Sequence, residues 1–106
     1  MPTGRLGIQD LSATTNTTLY TCPTNNFAVV SVTICNRNAT SVTVRLGLTT
    51  SGSVTDNSYL EFGTSIPGNG VLERTGIVMD AGKLLVVYSS ASGVNAVAYG
   101  IETSTV

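Results

Sequence analysis

The residues able to do chemistry are few. The acids are Asp10, Asp56, Glu61, Glu73, Asp80 and Glu102. Two carboxylates can act as acid and base on a glycosidic bond, and Glu61 with Glu73 is the pair such a reaction would draw on. Nothing in their spacing supports it. Glu73 adjoins Arg74 in a strand-like run, which reads as a surface ion pair or an interface contact. Asp56-Asn57-Ser58 offers oxygens to calcium but lacks EF-hand spacing, so it reads as a polar loop. The chain has no histidine, and a Ser-His or Cys-His nucleophile cannot be assembled without one. Cys22 and Cys35 alone cannot hold zinc. Neither GxxxxGK[ST] nor GxGxxG occurs, so there is no phosphate cradle. The expectation is a protein that is not an enzyme, with no catalytic residue, no cofactor-binding residue and no metal ligand.

Binding chemistry is equally sparse. Charged residues make up 10% of the 106 residues and the net charge is −1, where an average soluble protein is about 25% charged. The cations Arg5, Arg37, Arg45, Arg74 and Lys83 are scattered. They do not interleave with the six aromatics as a single-strand binding platform requires, so no nucleic acid is expected. Tryptophan is absent, and Tyr59, near a polar loop, is the modest candidate for a sugar; packing at a rim explains it as well. The longest apolar run, Leu84 to Tyr88, is far short of the roughly 20 residues that span a bilayer. The N-terminus has no apolar stretch of a signal peptide. A protein made in a cytosol is expected, with both cysteines free and its two Asn-X-Thr sequons unused. Its 17 Thr and 11 Ser supply the solubility that charges do not.

The elements that must position these residues are strands. From Phe27 to Asn36, Ala28, Val30, Val32 and Ile34 share one face, and Ser31, Thr33 and Cys35 the other. That period of two marks a half-buried strand. Thr40 to Leu48 repeats it through Val42, Val44, Leu46 and Leu48. Asn36-Arg37-Asn38-Ala39 between them reads as a tight hairpin joining antiparallel neighbours. Pro67-Gly68-Asn69-Gly70 is a turn. Val71 to Met79 follows, with Gly76 as a bulge. Asp80-Ala81-Gly82 turns the chain, and Lys83 reads as an edge charge that discourages wrong pairing. Lys83 to Ser89, apolar on both faces, is a central strand. After a turn at Ser92 to Asn95, Val97, Tyr99 and Ile101 alternate with Ala96, Ala98 and Gly100. The small-residue face implies simple β packing or close approach by another surface. Shorter strands are expected at Leu6 to Ile8, Thr17 to Cys22 and Ser58 to Phe62. Thr49 to Asn57 is the longest polar loop. About eight short strands without helical periodicity predict an all-β, single-domain antiparallel β-sandwich, jelly-roll or Ig-like. The domain covers residues 1–106, with 1–10 as an extended N-terminal arm reaching a neighbour.

Several stretches together resemble a known family. They are Thr18-Leu19-Tyr20-Thr21-Cys22-Pro23, Val32-Thr33-Ile34-Cys35-Asn36-Arg37, Tyr59-Leu60-Glu61-Phe62, Ile66 to Gly76, Ala81-Gly82-Lys83 and Tyr99-Gly100-Ile101-Glu102. In this order they resemble short virion structural proteins of tailed bacteriophages, notably phages of marine and cyanobacterial hosts. Ile66 to Gly76 is the most specific part. The family pattern has no cysteine at positions like Cys22 and Cys35. The resemblance implies a non-enzymatic, many-copy virion component with no active site to carry over. A capsid decoration or cement protein, bound to the major capsid protein or other virion proteins, is one role it implies. A tail, neck or baseplate attachment subunit presenting loops to the host is the alternative. Either would be a homo-oligomer, a trimer among the possible states, located in the virion and assembled in the host cytoplasm.

Overall fold

The computed structural model describes residues 3–50, 54 and 57–105. Among these it has eight strands and no helix. They are β1 (Thr3–Leu11), β2 (Thr17–Thr21), β3 (Asn26–Asn36), β4 (Val42–Thr49), β5 (Tyr59–Ile66), β6 (Val71–Met79), β7 (Leu84–Ser89) and β8 (Val94–Ser104). In β3 and β4 β-branched residues alternate with polar ones, the pattern that suits a pleated surface covered on one side, while β7 is apolar on both faces.

The strands make two antiparallel sheets. Sheet A has the order β1-β8-β3-β6 and sheet B the order β2-β7-β4-β5. Val30, Val32 and Ile34 of sheet A face Val44, Leu46, Leu85 and Val87 of sheet B in one buried core. Every connection except β4–β5 carries the chain from one sheet to the other. This order is the eight-strand jelly roll, two Greek keys wrapped into a sandwich. The Ig-like alternative, built of seven strands in a different order, does not hold.

One expected pairing is overturned. β3 and β4 are not neighbours: β3 lies between β8 and β6, and β4 between β7 and β5. Residues 36–41 form a corner that crosses between the sheets. Each strand has one strongly apolar face, and across the core those faces meet each other. The corner is locked by Asn36, whose side chain is in phase with the apolar face of β3 and fully buried. Its Nδ2 donates to the carbonyls of Thr40 (2.9 Å), Ile66 (3.2 Å) and Pro67 (3.1 Å), and its Oδ1 accepts the Asn38 amide at 3.0 Å. The neighbouring β5–β6 corner is pressed against it. A Cβ on Gly68 would stand 2.1 Å from the Ala39 carbonyl oxygen, so only glycine fits.

Other expectations hold or shift. β7 is a central strand. Gly76, at φ 72°, forms a bulge with Thr75, two residues of β6 facing Ser31 of β3. The N-terminal segment is not a free arm from Thr3 onward: it is edge strand β1, paired with β8 from Thr3↔Ile101 to Leu11↔Val94. Lys83 guards no edge. It enters central β7 and donates to Asp80 at 2.9 Å across the β6–β7 turn. That hydrogen bond holds the Asp80 carboxyl below its ordinary value. Thr49 is buried at the end of β4, so the polar loop begins after it. Most of that loop, including Asp56, lies outside the described residues.

Replacing Asn36 with alanine removes the side-chain donor from one buried carbonyl, that of Ile66, and two part-buried ones, those of Thr40 and Pro67. Each buried group left without a partner costs about 1–3 kcal/mol, some of it recoverable by water at this end of the sandwich. A loss of about 2–4 kcal/mol in urea unfolding is expected. A loss below about 0.5 kcal/mol would show that the corner does not depend on Asn36.

Candidate interaction surface

The residues singled out in the sequence do not converge. Glu61 lies at the open edge between the sheets, where β5 and β6 are the outer strands. It accepts from Arg74 at 2.7 Å and from Thr64 at 2.8 Å. Glu73 points the other way, onto the outer face of sheet A, where Tyr99 Oη donates to it at 2.8 Å. The two carboxylates therefore belong to different surfaces. Both cysteines are free: Cys22 is buried and Cys35 half-buried on the outer face of sheet A. Tyr59 stacks edge-on against Phe62, ring centroids 4.8 Å apart. Among the described residues no three of Cys, Asp and Glu gather as metal ligands.

The buried chemistry joins the two sheets. Tyr20 of β2 donates its hydroxyl to Glu102 of β8, and both side chains are buried. Burial, then the hydrogen bond and the charge of Glu102, push the Tyr20 hydroxyl well above its ordinary value. Burial first, and the same carboxylate second, push the Cys22 thiol up.

The outer faces differ in character. Seven large apolar side chains are exposed among the described residues. Six of them leave from the outer face of sheet A: Ile8, Phe27, Val29, Val71, Val78 and Ile101, between 39% and 66% exposed. Register sets them side by side. Val29 on β3 stands opposite Ile101 on β8 and Val78 on β6, and Ile8 on β1 stands opposite Val97 on β8. In β8 the small Ala96 and Ala98 are turned into the core, where sheet B packs on them, and the larger Val97, Tyr99 and Ile101 are turned out. Burial stabilises in proportion to apolar area, so this polarity suits a strand that is covered on both sides. Arg5 and Glu73 stand at opposite edges of the face, on β1 and β6.

The outer face of sheet B carries a stacked cation. The Arg45 guanidinium of β4 lies 4.6 Å from the Phe62 ring centroid on β5 and 4.5 Å from that of Tyr88 on β7. Its Nε is buried without a partner. The register of three strands brings them together, Arg45 standing opposite Phe62 on one side and Tyr88 on the other. Beside them, Val54 of the β4–β5 loop covers buried Gly47.

Comparison with protein-family models, curated proteins and solved structures finds no match to this chain.

The Tyr20 and Cys22 shifts both favour the neutral form of an acid in the folded protein. The unfolded chain gives up these protons at lower pH, near its ordinary values of 9.0 for Cys22 and 10.0 for Tyr20. The stability these two groups contribute is therefore complete well below pH 9 and falls as pH rises, by up to about 1.4 kcal/mol per pH unit for each group. Tyr20→Phe is expected to cost about 1–3 kcal/mol near pH 7, because Glu102 loses its buried partner, and to flatten the fall above pH 10. Urea unfolding from pH 7 to 11 reads both. An unaltered slope above pH 10 in the variant would refute the assignment to Tyr20.

Proposed function

We propose that this chain is a non-enzymatic structural subunit of a tailed-bacteriophage particle. In this reading it is a capsid decoration or cement protein that binds the outer shell and stabilises joints between major capsid subunits. Its partners are the major capsid protein or other virion proteins and further copies of itself, and its location is the virion. The observation that carries the reading is the apolar outer face of sheet A on a closed sandwich. Exposed apolar surface of this kind marks an interaction site. A particle built by symmetry needs subunits with such faces and a rigid body behind them. The sequence resemblance supports the phage setting. The jelly roll, which recurs in viral capsid and lectin domains, supports it by analogy of fold.

Copy number tests the role. Quantitative gels of purified virions are expected to give hundreds of copies per particle for a shell protein. Absence from the particle would overturn the proposal.

The Phe62–Arg45–Tyr88 stack favours a second reading, a tail, neck or baseplate subunit that presents sheet B to the host surface. An arginine held between aromatic rings beside a loop is a surface suited to sugars and acidic groups. This reading expects a few to a few dozen copies per particle. It also expects Arg45→Ala particles to adsorb to host cells at least ten-fold more slowly with normal assembly. Unchanged adsorption would remove it.

A further inference from the structure

We infer that the outer face of sheet A is covered by the same face of a second copy, in a face-to-face dimer with its twofold axis running along the strands. The inference goes beyond the particle role and holds for either position in the virion.

The area is sufficient. Four strands about 4.8 Å apart and about nine residues long, at about 3.3 Å per residue, give a face of roughly 19 by 30 Å. With its corrugation this buries roughly 600–800 Å² on each partner, close to the roughly 800 Å² of a standard interface. The chemistry fits an isologous contact. The row Ile101–Val29–Val78 crosses three strands of the face, and a copy presents the same row in return. The large outward residues of β8 then find the burial that a lone sandwich denies them.

Charge selects the orientation. Rotation about an axis along the strands keeps each residue at its height and reverses the strand order, so β1 lies over the partner's β6. Arg5 on β1 sits at the height of Tyr99 and Ser31. Glu73 on β6 sits at the height of Thr33, two residues along β3. About 6.6 Å of strand separates the two heights, a gap an arginine side chain spans. The Arg5 side chain has no hydrogen bond or ion pair among the described residues. Glu73 has only the Tyr99 hydroxyl, itself 3.3 Å from Thr33 Oγ1. A carboxylate covered by another sheet is costly unless a cation meets it, and this rotation brings one from the partner twice over. An axis across the strands would set β1 on β1 and β6 on β6, leaving Glu73 with no cation opposite it; Asp10, the outward acid of β1, already holds Arg37.

The test is the solution mass of the purified full chain by sedimentation and light scattering. The expected mass is about twice 10.9 kDa at 50 μM. Val78→Lys and Val29→Lys, both on exposed positions, are expected to weaken association at least ten-fold while their far-ultraviolet spectra keep the β-sheet signature. Arg5→Glu and Glu73→Arg are each expected to weaken it, and the double exchange to restore it. A monomer at 50 μM, a trimer, or lysine variants that associate like the wild type would overturn the dimer. A double exchange no tighter than either single one would overturn its orientation. Particle copy number is a separate measurement, so failure here leaves the virion reading standing.

Discussion

A chain that changes sheet at almost every connection must close its corners without a ladder of hairpin hydrogen bonds, and Asn36 is where this one does so. A two-residue hairpin satisfies its own backbone within one sheet. A corner that leaps across the core leaves carbonyls pointing at nothing, and burial makes each of them expensive. Asn36 answers with one side chain: its amide faces three carbonyls from two corners, and its own oxygen holds the next turn. The rest of that end gathers around it. Asn38 donates to Ser92, its carbonyl accepts from Asn69, and the Arg37 amide donates to Gly93. Three sheet-crossing connections are thereby held as one unit, and the flat faces they carry are held with them.

The opposite end is closed differently. There Cys22 exchanges backbone hydrogen bonds with the β6–β7 turn, and Tyr20 reaches across to Glu102. A polar pair in the core adds little stability over an apolar one of the same shape, but breaking it is costly. Its physical effect is on alignment. Tyr20 and Glu102 can meet only when β2 and β8 are in one relative position, so the pair fixes how sheet A sits on sheet B.

Much of this was legible in the sequence because the period of two survives in β3 and β4. Which side of each strand faces inward followed directly, and so did the bulge at Gly76. The partnering of strands did not follow. Asn36-Arg37-Asn38-Ala39 has the composition of a hairpin, and the same composition serves a corner. The distinguishing sign was the parity of Asn36, which continues the buried series 28, 30, 32, 34. β1 was partly hidden because its outward side holds Arg5 and Asp10 and its inward side holds Gly7, so apolar alternation barely registers. The Arg45 stack was invisible because it draws one residue from each of three strands. Register fixes such a cluster, and register is set by bulges between Val44 and Arg45 and between Leu46 and Gly47.

The two outer faces divide the work. Sheet A is broad and apolar, with Arg5 and the Asp10–Arg37 pair along one edge and Glu73 near the other. Apolar area of this kind supplies affinity, while sparse charges choose partner and orientation. Few long charged side chains mean little rotamer entropy lost on contact. Little of the contact energy is then screened by salt, which acts on charges. Sheet B presents a cation clamped between rings, with Val54 packed over Gly47 further along β4. Such a stack already holds its guanidinium in place, so a ligand meets an ordered group and loses less entropy on binding. If sheet A meets its own copy as proposed, sheet B is the face left for other partners, in either of the two proposed settings, shell or tail. In both settings the energetic logic is the same: the fold is stiffened at its corners so that its faces can be flat.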